Sequence, residues 1–291
     1  RDSSWGCRVA MNFSLASRQE SIYGSWGVLN DIDTPLPYLD TAPKYQALLD
    51  NISNPCESSA TSSLYLNAYL SGAFDNTSSL MRTDLHEHGL LPANQPYNTI
   101  PWNYDDMGND SAINSSIFPS TIVDWVLIEL RYADDLTSIA VQKAALLLNN
   151  GSIAQLSNGN TLTDGIHFSN LPDGAYHIIV RHRNHTDIIS SSPINLSTST
   201  SANYSFSSSI NQAMGTDQQT LLSNELFGLR AGDITGDGLH TVSDFNVYTE
   251  QLSSSSINTY LSGDTDLDGQ ITVSDFNTYS LNASHIGLGI I

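Results

Sequence analysis

Two twelve-residue stretches near the carboxyl end place oxygen side chains at intervals that suit a hard cation. The first carries Asp233, Thr235, Asp237, Thr241 and Asp244 at positions 1, 3, 5, 9 and 12; the second carries Asp264, Asp266, Asp268, Thr272 and Asp275 at the same positions, 31 residues further on. Ca2+ takes six to eight oxygen ligands at about 2.3–2.6 Å, and a short loop can supply them only if it turns sharply at position 6, where glycine is needed. Gly238 and Gly269 stand there. With the backbone carbonyls of Leu239 and Gln270 at position 7, each loop offers a full ligand set, and the expected cofactor is two Ca2+ ions. Asp-Gly is also ordinary turn chemistry. Two such turns in matching register with matching flanks instead point to one unit written twice.

Each loop runs into the same text, Thr-Val-Ser-Asp-Phe-Asn-x-Tyr, with Phe245 and Tyr248 in one copy and Phe276 and Tyr279 in the other. The three-residue spacing predicts a helix start with its aromatic rings on one face. These segments resemble the loop and helix halves of type I dockerin repeats, which close their loop on Asp where an ordinary EF-hand uses Glu. Two positions depart from that pattern: Thr235 stands where those repeats carry Asn or Asp, and His240 stands where they carry an aliphatic residue. The helices also lack the Ser-Thr or Lys-Arg pairs that dockerins present to cohesins. The resemblance therefore implies the calcium chemistry and not the cohesin partner.

The rest of the composition fits such a role. The formal charge is −20, from 30 acidic against 10 basic residues. That field repels nucleic acid and anionic membrane, which excludes both as partners, and makes divalent cations the natural counter-ions. Charged residues make up only 14% of the chain, and its polar surface must be built from Ser, Thr and Asn, as suits an extracellular, cell-surface location. Cys7 and Cys56 could close one N-terminal disulfide in an oxidising compartment, or remain two unconnected thiols. No stretch approaches the 18 apolar residues of a membrane span. The chain starts at Arg1 with no initiating Met and no signal peptide, which reads as a processed or partial start.

Residues 1–60 yield no function. From Ser63 to Leu70 the pattern alternates like a strand, and Gly72 and Asp75 mark the turn that ends it. A loop rich in Pro, Asn and Asp leads to Thr121–Arg131, the clearest strand; apolar residues fall on both of its faces, so burial on both is expected. Residues 138–148 form another candidate strand, although so long an apolar run would also suit a helix. Short strands are expected near 187–189, 193–196 and 203–206, as in a sandwich.

Phe168, Leu171, Gly174 and Tyr176 are similar to the hairpin of prealbumin-like surface domains of the CnaB and carboxypeptidase-regulatory type, with Pro172, Asp173 and Gly174 in its turn. Together with the calcium loops, the order of segments resembles the C-terminal region of large secreted bacterial surface proteins of the adhesin or hemagglutinin kind. The expected fold is mainly β: a β-sandwich, Ig- or prealbumin-like, with a small α-helical two-loop calcium module at the C-terminus. The expected organisation is an N-terminal segment over 1–60, the sandwich over 61–207, a connector over 208–230, and the calcium module with an apolar tail over 231–291.

No catalytic residue is singled out, because no nucleophile elbow, phosphate loop or dinucleotide-binding glycine pattern is present. His86 and His88 in Asp84–His88 lack the helical spacing of a zinc protease, and His182 and His185 beside Arg181 and Arg183 read as solvent-facing polar residues. Lys143, in a strand-like run, has no recognisable partner for an isopeptide bond. Asp40-Thr41-Ala42 and Asp110-Ser111-Ala112 fit a bacterial O-glycosylation pattern, with Thr41 and Ser111 as acceptors. The tail residues Ile286, Leu288, Ile290 and Ile291 should dock on their own domain or add a strand to a neighbouring copy. The functional expectation is a non-catalytic, calcium-stabilised surface protein that partners with itself or with other surface proteins and glycans. A glycan-binding module using exposed Trp102, Tyr104 and Trp125, and an enzyme with an unrecognised site, are the alternatives.

Overall fold

The strand read as buried on both faces, Ile122–Tyr132, is central to the molecule. Every residue from Ile122 to Arg131 is buried, and Trp125, Val126, Leu127, Ile128 and Leu130 are wholly inaccessible. A computed structural model describes residues 61–105, 110–112, 114–157, 161–223, 225–254 and 258–289. Cys7, Cys56, Thr41, Ile290 and Ile291 lie outside the described residues.

The described chain is mainly β, with several sheets and a few helices. In order it forms β1 (Thr61–Asn67), β2 (Phe74–Asp75), β3 (Leu80–Met81), the single-turn helix α1 (Asp84–Glu87), β4 (Ile122–Tyr132), β5 (Asp135–Leu148), β6 (Ile153–Ser157), β7 (Thr161–Asp164) and β8 (Ile166–Ser169). There follow β9 (Gly174–His182), β10 (His185–Ile189), β11 (Ile194–Leu196), β12 (Ala202–Ser205), β13 (Gln219–Leu221), β14 (Phe227–Leu229), α2 (Val242–Ser254) and α3 (Val273–Asn282). The segment expected to be a connector thus carries the β13–β14 ribbon.

The larger sheet runs β10-β9-β4-β5-β6-β7, antiparallel throughout, with β11 also paired to β9. A smaller sheet runs β12-β1-β8, with β1 parallel to β12 and antiparallel to β8. One continuous core joins Leu64 and Leu66 of β1, Ile166 and Phe168 of β8, the buried apolar residues of β4 and β5, and Tyr176, Ile178 and Val180 of β9. The other face of β4 is covered by the loop before it. Tyr97 donates its hydroxyl to Trp125 O at 2.8 Å, Trp125 Nε1 donates to Pro92 O at 2.9 Å, and Phe118 meets the indole edge-on at 5.9 Å.

Three expectations need correction. The segment around Pro172 is no hairpin, because β8 pairs with β1 while β9 pairs with β4, β10 and β11, so the turn carries the chain from one sheet to the other. Trp125 and Tyr104 are buried rather than exposed, and Trp102 is half-buried, since these rings seal the β4 face. His182 and His185 are wholly buried, with Arg181 and Arg183, because the β9–β10 turn is covered by the C-terminal loops. Residues 138–148 are strand, as the β reading had them, within β5.

Candidate metal centre

In the second loop the carboxylates of Asp264, Asp266 and Asp268 converge, with one oxygen of each within 4.8 Å of the others, an arrangement that could hold a metal ion. The backbone builds this cluster. Asp264 Oδ1 accepts from Asp268 N at 3.0 Å and Oδ2 from Gly269 N at 2.9 Å, which folds the loop around its first carboxylate. Asp275 Oδ1 accepts from Thr265 N at 2.7 Å, and its Oδ2 accepts from Thr272 N at 2.8 Å, closing the far end. Thr272 Oγ1 caps α3 by accepting from Ser274 N at 3.1 Å. The turn requires left-handed backbone at Gly269, φ +84°, and at Leu267, φ +61°. That conformation is costly for a bulky side chain, and Leu267 is held in it by insertion into the main β core, where it is 1% exposed.

The first loop is closed in the same way, its position 3 amide donating to the position 12 carboxylate as Asp266 N does to Asp275 Oδ1 at 3.2 Å in the second. Asp233 accepts from Asp237 N at 3.1 Å and Gly238 N at 2.8 Å; Asp244 accepts from Thr235 N at 2.9 Å and Thr241 N at 2.7 Å. With Thr235 at position 3, its hydroxyl donates to Asp244 at 2.9 Å, and no third acid joins a tight cluster there among the described residues. His240 is buried: its Nδ1–H donates to Asn282 O at 2.6 Å and its ring meets Tyr279 edge-on at 4.5 Å. Gly232 makes room for it, since a Cβ there would stand 2.5 Å from His240 Nε2. Leu239 and Gln270 follow the turns, and their amides donate to Asp237 and Asp268 at 2.9 Å and 2.8 Å.

These acids are gathered where water is scarce. Burial pushes Asp264 up to about 8, opposed by Arg183 and reinforced by Asp275. Burial likewise raises Asp233 well above the carboxylate range, with Asp187, Asp244 and Asp237 adding to it, and burial with Asp266 raises Asp268 and Asp275. A divalent cation inverts that balance, since it favours the ionised form of every carboxylate around it.

The loops are bound to each other and to the sheets. Phe245 neighbours Tyr248 and Phe276 neighbours Tyr279, as the i, i+3 spacing predicts, and the two pairs meet across the repeats in one ring cluster beside Ile234 and Ile271. Arg82 donates to Asp266 O at 2.5 Å, and Gly72 lies so close to Thr265 O that a Cβ would fall 1.9 Å from it. The Asp84–Glu87 segment, with His86 and His88, is a helical turn whose following Leu90 backs Gly269; His86 Nε2 bonds Phe118 O at 2.9 Å. At the β9–β10 turn, Arg183 pairs with Asp124 at 2.9 Å, and its guanidinium lies 4.3 Å from the Tyr260 ring. Tyr260 donates to Asp124 at 2.6 Å.

Sequence reasoning missed this buried set. Asp124 and Glu129 are wholly inaccessible on the central strand, and Glu129 is shared by Arg131 and Arg181. Their one visible signal was a pair of acids inside an otherwise apolar strand. Arg131, Arg181, Glu129, Gln142 and Trp102 line a cavity of about 150 Å3 that reaches Gly236 and Asp237 of the first loop. Lys143 Nζ lies 3.9 Å from Asp110, next to half-buried Ser111. In the tail, Gly289 N donates to Gly238 O at 3.3 Å and Leu288 is half-exposed at 39%, while Ile286 stays 70% exposed.

No helix of the described residues is long and apolar enough to cross a membrane. No protein-family model matches the sequence, and no curated protein matches it.

Proposed function

We propose that this chain is a non-catalytic, extracellular, calcium-stabilised structural protein of a cell surface, built as a β-sandwich locked to a dockerin-like module that takes two Ca2+ ions. The observation that carries this reading is the convergence of Asp264, Asp266 and Asp268 in a loop closed at both ends by its own backbone amides. All-oxygen, carboxylate-rich surroundings suit Ca2+ rather than softer metals. Extracellular sites of this class bind with Kd of about 10⁻⁴ to 10⁻³ M, so at about 1 mM Ca2+ a site at the tight end adds about 1.4 kcal/mol, and two add about 3. That is a large share of the stability of an ordinary domain.

Assembly with further copies into a layer or filament is part of the same proposal. It is supported by apolar side chains left on the surface of the module, Val242, Val273, Leu281 and Ile286 among them. Electron microscopy of the purified protein with and without a chelator tests it. Calcium-dependent fibres or sheets are expected; monomers under both conditions would refute the assembly, and a chelator with no effect on melting would refute the calcium role.

A second reading, a module for a small polar ligand such as a glycan terminus, is favoured by the cavity beside Asp237, where Trp102 supplies an apolar wall and Arg131, Arg181, Glu129 and Gln142 supply polar groups. Binding on a glycan array that Trp102→Ala abolishes would support it.

A further inference from the structure

Through one residue, the turn between β9 and β10 touches the residue before the first loop and the first position of the second. Asn184 is wholly buried. Its backbone carbonyl accepts from Gly232 N at 2.9 Å, directly before Asp233, and its side-chain amide donates to Asp264 O at 2.5 Å and to Ser262 O at 3.1 Å. The carboxamide orientation is fixed by its surroundings, since the nitrogen faces two carbonyls and Oδ1 accepts from His185 Nδ1 at 2.8 Å. His185 Nε2 in turn accepts from Gly72 N at 3.2 Å, on the segment that abuts Thr265. His182 presents Nε2–H to Asp124 at 3.2 Å and Nδ1 to Asn184 N at 3.4 Å. Asn184 is therefore held from behind by the sheet while it holds one loop with its main chain and the other with its side chain.

We infer that Asn184 is a positioning residue that couples the two loops, so that a cation in one strengthens binding in the other. The coupling presupposes that both loops take a cation, as proposed above. Closing a loop on a cation fixes the residue at position 1, because its carboxylate is the ligand that the turn amides fold around. In loop one that fixes Asp233 and the Gly232 amide beside it; in loop two it fixes Asp264. Each event removes freedom from the same buried side chain and turn, and the second event then has less to order. Coupling of this kind is reciprocal and amounts to about 5-fold or more in affinity.

The test is calcium calorimetry on the full chain and on variants that disable one loop at a time by removing a ligand oxygen, Asp237→Ala for loop one and Asp268→Ala for loop two. The product of the two wild-type association constants should exceed the product of the two single-loop constants by about 5-fold or more. In an Asn184→Ala background the ratio should fall to about 1 with both loops still binding. A wild-type ratio of 1, or a ratio that survives Asn184→Ala, overturns the coupling while leaving the cation reading intact. Absence of calcium binding by the wild-type chain overturns both. If Asn184→Ala does not fold, the wild-type ratio and Asn184→Asp, which keeps the shape and removes the donor, decide the matter.

Discussion

Tyr248 and Tyr279 exchange partners between the two repeats: the hydroxyl of Tyr248 donates to Thr272 O of the second loop at 2.7 Å, and that of Tyr279 donates to Thr241 O of the first at 3.0 Å. Both carbonyls belong to position 9. The two halves are thus related by a local pseudo-twofold, and each helix braces the other repeat's acidic loop. Tyr248→Phe and Tyr279→Phe should each lower stability by about 1 kcal/mol, the usual worth of one such bond. Urea unfolding checks this, and a change confined to one of the pair would show that the braces are not equivalent.

Leu267 joins the second loop to the β core by its side chain while its backbone is left-handed. Leu267→Ala removes the core contact and should cost about 2–4 kcal/mol. Denaturation followed by tryptophan fluorescence, which reads buried Trp125, should shift with it.

Acid should unfold the protein in two stages. Burial lowers His182 and His185 below the ordinary imidazole range, so both are neutral when folded and take up protons when unfolded. Their contribution is present above an unfolded value of about 6.5 and is lost as pH falls below it. Asp124 titrates lower: burial pushes it up, but Arg183, His182 and Tyr260 outweigh that and hold it at about 2. Its contribution, present above about pH 3.9, is lost as pH falls towards 2 and is worth roughly 2 kcal/mol. Asp124→Asn should remove the lower stage and, by stranding buried Arg183, should destabilise the chain by about 3–5 kcal/mol at neutral pH. A single acid transition that Asp124→Asn leaves unchanged would contradict this.

The local parts of this structure were legible in the sequence. The repeated loop text placed the turns at Gly238 and Gly269 and the helices that follow, and the aromatic spacing put Phe245 with Tyr248 and Phe276 with Tyr279 on one helix face each, because each depends on neighbours within a few residues; the contact of one pair with the other did not follow from that spacing. Residues 121–131 read correctly as a doubly buried strand for the same reason. His182, Asn184 and His185 were not legible. Their local pattern is that of an exposed polar turn, and what buries them arrives from about 50 to 80 residues later in the chain, as the contacts of Asn184 with Gly232 and Asp264 show. Trp125 was misread as an exposed ligand contact because the loop that covers it has no regular period.

Calcium should raise the melting temperature and a chelator should lower it. For a body of this size, about 3 kcal/mol from two sites corresponds to about 6–12 °C at 1 mM Ca2+. Asp268→Ala should remove about half of that shift, because it takes a ligand oxygen from one loop and leaves the other.

Calorimetric titration of the metal-free chain with CaCl2 tests the central claim most directly. The account predicts saturation at two Ca2+ per chain, reduced to one by Asp268→Ala, which removes the ligand oxygen; no saturable heat, or a stoichiometry that Asp268→Ala does not change, would contradict it.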